Sequence, residues 1–396
     1  MSLYVHVPFC TRFCDYCGFY SERVSRDGGV ESLYVDRLLR DAETALRRVS
    51  PRRVRTLYVG GGTPSALGAA PARRLLAGLA ALLDAPPDEF TVEANPDSAD
   101  ERFLRACAAA GVTRLSVGVQ SFSETCRRAV RRGGAAAGLG AALGRISAFF
   151  PGAFSIDLMT GLPFQTLDTL RKDIDRALSF EPGHLSLYAL SLEEGTPLAE
   201  RALHAPEAAG LPSRDEADAL WIAGRDALEA AGFAQYEVSN FCRSGKESLH
   251  NIRYWRMQSW IGLGPSASGT LIPEGRGKGA LRATVEPCLE RWLARRGEAP
   301  VIREELDAVT LMKETFLMGF RYLGGPDPAL FEERFGISVD EAAPRTLAAW
   351  RARGLARSNK PALNRDGLLF LDRFLAGAFL EIEQGRGKNV PRHSAV

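Results

Sequence analysis

The sequence predicts an α/β fold: a partial parallel barrel of six βα units, (β/α)6, followed by an extension and a small, mainly helical, winged-helix-like domain at the C-terminus. Three observations carry this. The first half repeats one theme, a short apolar, β-branched run, a turn with polar or glycine residues, then a longer amphipathic stretch. The short runs are nearly continuous in apolar residues, as strands of a parallel sheet buried on both faces must be. Right-handed crossovers place every strand's C-terminal end on one rim, and the chemically distinctive residues follow those ends.

The predicted strands are Leu3–Val7, Thr56–Val59, Glu89–Glu93, Arg114–Val119, Phe154–Leu158 and His184–Leu190. Helical periodicity covers Ser32–Val49, Ala72–Leu83 and Thr166–Phe180 between them. After Leu192 the pattern loosens through an Ala/Pro-rich stretch at His204–Pro212, then resumes with a helix over Arg214–Ala231 and an extended segment Phe233–Val238. From about Glu304 the pattern turns helical as far as Gly367–Leu371, and a polar tail closes the chain. Residues 1–200 are thus expected to form the core, 201–300 the extension, 301–384 the C-terminal domain and 385–396 a flexible tail.

Fifty Lys and Arg against 48 Asp and Glu give a formal charge of +2 over 396 residues, so bulk electrostatics supply no reason to bind nucleic acid or an anionic membrane. No basic stretch followed by an apolar run opens the chain, and no run approaches the roughly eighteen apolar residues of a membrane span. The expectation is a cytoplasmic protein without a transmembrane segment. Seven cysteines, three of them within one short loop, do not form the paired framework of a secreted domain.

Those three, Cys10, Cys14 and Cys17, make a C-x3-C-x2-C loop directly after the first strand. Thiolates are soft ligands suited to iron–sulfur clusters or zinc, and a loop lets them converge where a helix or strand would splay them apart. Three thiolates on a 4Fe-4S cubane leave one iron open to a cofactor or substrate. A zinc ion completed by His6, or three uncoordinated thiols, is the competing reading. Cys107, Cys126, Cys242 and Cys288 stand alone and read as small core residues.

The run Gly60-Gly61-Gly62-Thr63-Pro64 follows the second strand, where bare backbone admits a ligand closely and N–H groups can meet a carboxylate; it can equally serve the fold alone. Glu93 closes the third strand, Gln120 the fourth and Asp157 the fifth, and these offer hydrogen-bond capacity to ribose or ammonium groups.

The segments Tyr4-Val5-His6-Val7-Pro8-Phe9-Cys10 and Cys14-Asp15-Tyr16-Cys17 resemble the cluster loop of radical S-adenosylmethionine (SAM) proteins, and within them the oxygen-independent coproporphyrinogen III oxidase group. Glu93-Ala94-Asn95-Pro96, Gly118-Val119-Gln120-Ser121-Phe122 and Ile156–Pro163 resemble successive segments of that group in order and interval. The resemblance implies a radical SAM barrel whose 4Fe-4S cluster is held by Cys10, Cys14 and Cys17. Its free iron would chelate SAM, which an electron from the cluster cleaves to a 5′-deoxyadenosyl radical. By the same resemblance Tyr4, Gly61, Gly62, Thr63, Glu93, Gln120, Arg132 and Asp157 line the SAM pocket. Gly133-Gly134 departs from the group, which carries a more polar, histidine-containing segment there.

Two further departures separate the chain from the oxidases themselves. They carry a fourth cysteine where this chain has Phe19, and a longer arm ahead of the loop, where three residues precede Tyr4 here. Both features resemble the branch called HemW, regarded as haem chaperones. His250-Asn251-Ile252-Arg253-Tyr254-Trp255 is similar to that branch's HNxxYW haem-binding motif. The resemblance implies haem contact by His250, Asn251, Tyr254 and Trp255, with a histidine nitrogen for the iron and aromatic faces for the ring; an ordinary domain-junction cluster is the alternative. The expected function is a haem chaperone that binds haem, the cluster and SAM and delivers haem to acceptor proteins, served by an electron donor. The alternative is oxidative decarboxylation of coproporphyrinogen III propionates. No catalytic residue is assigned, and a homodimer is left open.

Overall fold

The computed structural model describes residues 1–25, 29–297 and 299–385; the tail expected at 385–396 lies outside the described residues from 386 onward. Strands β1 (Ser2–Val7), β2 (Thr56–Gly61), β3 (Glu89–Ala94), β4 (Arg114–Gln120), β5 (Phe154–Thr160) and β6 (His184–Ala189) are parallel neighbours in chain order. The helices following them are α1 (Gly29–Val49), α2 (Ala69–Ala81), α3 (Glu101–Ala109), the pair α4 (Glu124–Ala129) and α5 (Ala136–Phe149), and α6 (Leu167–Leu178). Beyond β6 come α7 (Pro197–His204), α8 (Pro206–Ala209) and α9 (Arg214–Ala230). The α/β architecture and the six βα units are therefore as the periodicity required. The loose Ala/Pro-rich stretch is itself partly helical, because Thr196 caps α7 and prolines sit at the first turns of α7 and α8, where a missing N–H costs nothing.

The strands are less uniformly apolar than expected. Leu3, Val5, Val7, Leu57 and Val59 point out against the helices and are almost wholly buried. The alternate positions, Tyr4, His6, Tyr58, Glu93, Ser116, Asp157 and Ser186, point into the barrel and are polar. Burial on both faces is real, but one face is buried around a polar lumen.

The sheet continues on both sides of the six strands. Strands β7 (Ala234–Gln235) and β8 (Asn240–Cys242) add antiparallel at β6. After α10 (Leu249–Trp255), strand β9 (Trp260–Leu263) lies parallel to β1 on its other side. The antiparallel strands β10 (Ser268–Leu271), β11 (Ala280–Val285) and β12 (Val301–Leu306) follow as a meander, with α11 (Leu289–Ala294) between the last two. The twelve strands run in the order β12-β11-β10-β9-β1-β2-β3-β4-β5-β6-β8-β7.

A second core gathers α12 (Ala308–Gly319), α13 (Pro328–Phe335), α14 (Val339–Ala342), α15 (Pro344–Ala352) and α16 (Leu371–Gly385) around Phe316, Phe320, Trp350 and Phe374. An isolated antiparallel bridge joins Ala356 to Leu363. Met257, Ala280, Leu306 and Leu311 form an apolar joint between this bundle and the sheet. Among the described residues no helix is long and apolar enough to cross a membrane.

Candidate functional site

The cysteine loop leaves the C-terminal end of β1 and is fastened on several sides. Asp15, 2% exposed, receives Arg201 at 2.9 Å and Arg131 at 3.5 Å. Its backbone N–H donates to Val130 and its carbonyl accepts from Leu198, tying the loop to α4 and α7. A buried carboxylate persists only when its charge is compensated, so this one fixes the loop's path. Arg127, 2% exposed, donates to the carbonyls of Val119, Ser121 and Gly133 and braces the adjoining turn.

On this frame the Cys10, Cys14 and Cys17 thiols are partly exposed, and none is in a disulfide. Burial, and then the proximity of Cys14 and Cys10, pushes the Cys17 thiol above its ordinary pKa, so the three sulfurs feel one another. Thr63 Oγ1 lies 3.5 Å from the Cys10 sulfur, and Arg132 Nη1 points at the Cys14 sulfur from 3.7 Å, bringing positive charge to a set of thiolates. Among the described residues no three His, Cys, Asp or Glu side chains close on a point that would grip a single metal ion. A cubane asks less convergence, since each thiolate meets a different iron. His6 is not available to complete a zinc site: its Nδ1 pairs with the Tyr4 hydroxyl at 3.0 Å and its Nε2 with the Tyr20 carbonyl at 2.9 Å.

The glycine run plays a different part from the one its composition suggests. The Gly62 N–H donates to the Val7 carbonyl at 2.8 Å, the Thr63 N–H to Phe9 at 2.7 Å and the Gly61 N–H to the Glu93 carboxylate at 2.9 Å. These amides are spent on the protein, so the expectation that they meet a ligand carboxylate is corrected. A Cβ at Gly62 would stand 2.8 Å from backbone atoms of Pro8 and Val7, and Gly61 has φ +109° with the His6 ring against it. The glycines let β2 clamp the root of the cysteine loop.

Inside the barrel, Glu93 also accepts from the Tyr58 hydroxyl at 2.7 Å. Burial raises its pKa to about 7, against the pull of the Tyr58 and Gly61 hydrogen bonds and with a further push from Asp157. Asp157 sits in the middle of β5 rather than at its end, and accepts from Ser116 at 3.0 Å, Ser155 at 3.2 Å and Ser186 at 2.7 Å. Gln120 occupies a bulge against β5 with φ +71°, a strained geometry for a residue with a Cβ. Gln120 Oε1 and Arg132 Nε are buried without a hydrogen-bond partner at the barrel mouth, which is unspent capacity for a polar guest. Tyr4, Gly61, Gly62, Thr63, Glu93, Gln120, Arg132 and Asp157 thus all come from the lumen and rim of one barrel.

The HNxxYW segment does not join them. It forms α10 at the opposite mouth, where β1, β2 and β3 begin. Glu89, the first residue of β3, accepts from Leu249 N at 2.8 Å, His250 N at 3.0 Å and the Ser248 hydroxyl at 3.2 Å, capping that helix with a negative charge. The ring of His250 is 1% exposed and pairs through Nδ1 with Thr56 Oγ1 at 2.9 Å. It lies against Tyr58 (centroids 5.0 Å apart) and Tyr254 (4.7 Å). Burial, then the Arg253 charge, lowers its pKa to about 3, and its Nε2 is buried without a partner. In this arrangement the imidazole is enclosed, and a porphyrin reaches its Nε2 only where α10 leaves the barrel. Asn251, Tyr254 and Trp255 are half-buried; Tyr254, one turn on, shares the helix face of His250, and Trp255 Nε1 is buried without a hydrogen-bond partner. The strand length, roughly 17 Å for five residue steps, separates this mouth from the cysteine loop.

Such a barrel and cysteine loop define a radical SAM protein, and the model of the radical SAM superfamily matches residues 4–177. The chain is 36% identical to the bovine radical S-adenosyl methionine domain-containing protein 1, mitochondrial, over 94% of this chain and 82% of that one. It is 33% identical to the heme chaperone HemW of Escherichia coli (87% and 89% covered) and 31% identical to that of Bacillus subtilis (96% and 99%). The chain belongs to the family that HemW and these mitochondrial proteins share. The fold is that of the E. coli coproporphyrinogen III oxidase HemN, with a TM-score of 0.78 over 96% of this chain and 89% of that one at 23% identity. Superfamily membership implies a 4Fe-4S cluster and SAM.

Proposed function

We propose that this protein is a haem chaperone: it binds haem and passes it to haem-requiring acceptor proteins, using a cluster held by Cys10, Cys14 and Cys17 and SAM held in the barrel. The observation that carries this reading over the oxidase is Phe19. It stands where the oxidases place an additional cysteine, and its ring is 70% exposed next to the cluster loop. An apolar side chain there supplies neither a thiol nor a hydrogen-bond donor to a propionate.

When bound, the cluster supplies single electrons to the sulfonium. The chain's own groups do the rest. Arg132 compensates the negative charge of the thiolates from beside Cys14, and Thr63 approaches Cys10. Glu93 and Asp157 accept hydrogen bonds from the ribose or ammonium side of SAM, Gln120 offers its unspent carbonyl, and Tyr4 closes the lumen below. Gly61 and Gly62 keep the cysteine loop seated. On the other mouth, Asn251, Tyr254 and Trp255 serve haem from α10, which His250 and Glu89 hold in place.

The test is anaerobic incubation of the reconstituted protein with coproporphyrinogen, SAM and a reductant, alongside a haem titration. Haem binding without protoporphyrinogen is the expected result; sustained formation of protoporphyrinogen would overturn the reading. Iron and sulfide analysis of Cys10→Ser, Cys14→Ser and Cys17→Ser variants, each expected to lose the cluster, checks the ligand set.

A further inference from the structure

A second concavity lies outside the barrel. Strands β9 to β12 are joined by hairpins and a short helix, so no long crossover helix returns across the face turned toward α1. The result is a groove of about 830 Å³, within the range of ~300–1,000 Å³ typical of small-molecule sites. Register fixes its floor. Gly269 pairs with Ala283, Leu271 with Leu281, and Val285 with Val301, so all six share one face. Gly269 and Ala283 leave the centre low, and the larger aliphatics wall it. The other face carries Thr270 and Arg282, with Arg282 paired at 2.6 Å to Glu314 of α12. The sheet is therefore apolar toward the groove and polar toward the C-terminal bundle.

The rim is strongly one-signed. Among the described residues, Arg37, Arg40, Arg48, Arg295, Arg296 and Arg303 line it, six cations against one carboxylate, Asp41. Asp41 is already paired with Arg37 at 2.8 Å. Arg37 also donates to the carbonyls of Arg295 and Gly297, fixing the loop that presents Arg295 and Arg296. Those two and Arg303 are exposed and make no ion pair among the described residues. Glu305 follows Arg303 on the same strand face but does not line the groove. Trp260 of β9 shares the opposite face with Thr270, and there its ring lies 4.8 Å from that of Tyr254 in the haem motif.

An apolar floor between exposed guanidinium groups fits a flat, apolar ligand with more than one carboxylate, since a guanidinium takes a carboxylate in a bidentate fork. We propose that this groove is the porphyrin site: the ring lies on the β10–β12 floor and its propionates meet Arg295, Arg296 and Arg303. This rests on the haem-chaperone reading and gives it a location. None of the described lining residues is His, Cys, Met or Tyr, so the site grips ring and carboxylates rather than iron. Handing the ligand on then breaks no iron–protein bond.

The test uses full-length, cluster-reconstituted protein titrated anaerobically with haem and with iron-free protoporphyrin IX, followed by absorbance and tryptophan quenching. Both are expected to bind with similar affinity. The triple variant Arg295→Glu, Arg296→Glu, Arg303→Glu is expected to weaken both by roughly tenfold or more, less so as salt screens the rim. Ala283→Trp, which fills the floor without altering charge, is expected to weaken both as well. Iron, sulfide and SAM binding at parental levels show that each variant is folded. Haem bound by the parent but undiminished in both variants would overturn the groove and leave the chaperone reading standing, as would binding that requires iron. A long-chain fatty acid that displaces porphyrin at equal concentration and fails on the same variants would assign the groove to lipid instead. A parent that binds neither porphyrin would overturn the chaperone reading itself.

Discussion

Replacing His250 by Gln separates a structural histidine from an iron ligand. In the folded chain this imidazole is buried against Thr56 and two tyrosines and its pKa is lowered to about 3; in the unfolded chain it titrates near 6.5. Between those values the unfolded chain takes up a proton that the folded chain refuses. The histidine's contribution is therefore intact above about pH 6.5 and lost as the pH falls toward 3, at ~1.4 kcal/mol per pH unit, or about 2 kcal/mol by pH 5. His184, wedged between Ser155 and Tyr236 and likewise lowered, adds to the slope in parent and variant alike. Urea unfolding of anaerobic protein at about pH 7 and about pH 5, followed by far-ultraviolet circular dichroism, measures the difference. The parent is expected to lose about 2 kcal/mol more than His250→Gln over that interval. Equal losses in the two proteins would refute the burial argument, and an exposed histidine would again be a candidate for the iron.

Three other outcomes follow from the same geometry. Gly62→Ala forces backbone apart at the root of the cysteine loop and is expected to cost ~2 kcal/mol and to leave iron below one cluster per chain, read by iron analysis. Glu93, with a pKa of about 7, keeps its proton in the folded state where the unfolded chain has lost it, so its ionisation lowers stability between about pH 4.5 and 7. SAM binding that draws on the carboxylate should strengthen with pH up to about 7 and level off above it, and Glu93→Gln should flatten that profile in calorimetric titrations. Glu89→Gln removes the charge that caps α10 and is expected to destabilise the protein by ~2–3 kcal/mol in chemical unfolding, with SAM affinity unchanged.

Much of the barrel was legible because β-branched runs and helical periodicity are local signals. The six core strands begin within a residue of their expected starts, and the candidates from Tyr4 to Asp157 fall on one lumen. What escaped was set by distant partners. Strands β9 and β10 are four residues long and each carries a glycine, so nothing in Trp260–Leu263 announces a neighbour of β1. The motif at His250 is plain as a string, yet its orientation depends on Glu89, 161 residues away in sequence. Asp15 lies inside the cysteine motif, where an acidic residue reads as spacing, and only the structure joins it to Arg201. The glycine run promised free amides because sequence cannot show that the Val7 and Phe9 carbonyls claim them first.

The pairing of β1 with β9 sets an order of events during synthesis. Ser2 meets Trp260 and Val5 meets Leu263, so one edge of the strand that leads into the cysteine loop is uncovered until the ribosome has delivered about two thirds of the chain. Cluster loading on the nascent chain would act on a loop whose supporting strand is still half paired. Assembly factors for iron and sulfide therefore have their firm substrate only once Trp260–Leu263 has left the ribosome and this last parallel neighbour has zipped into place.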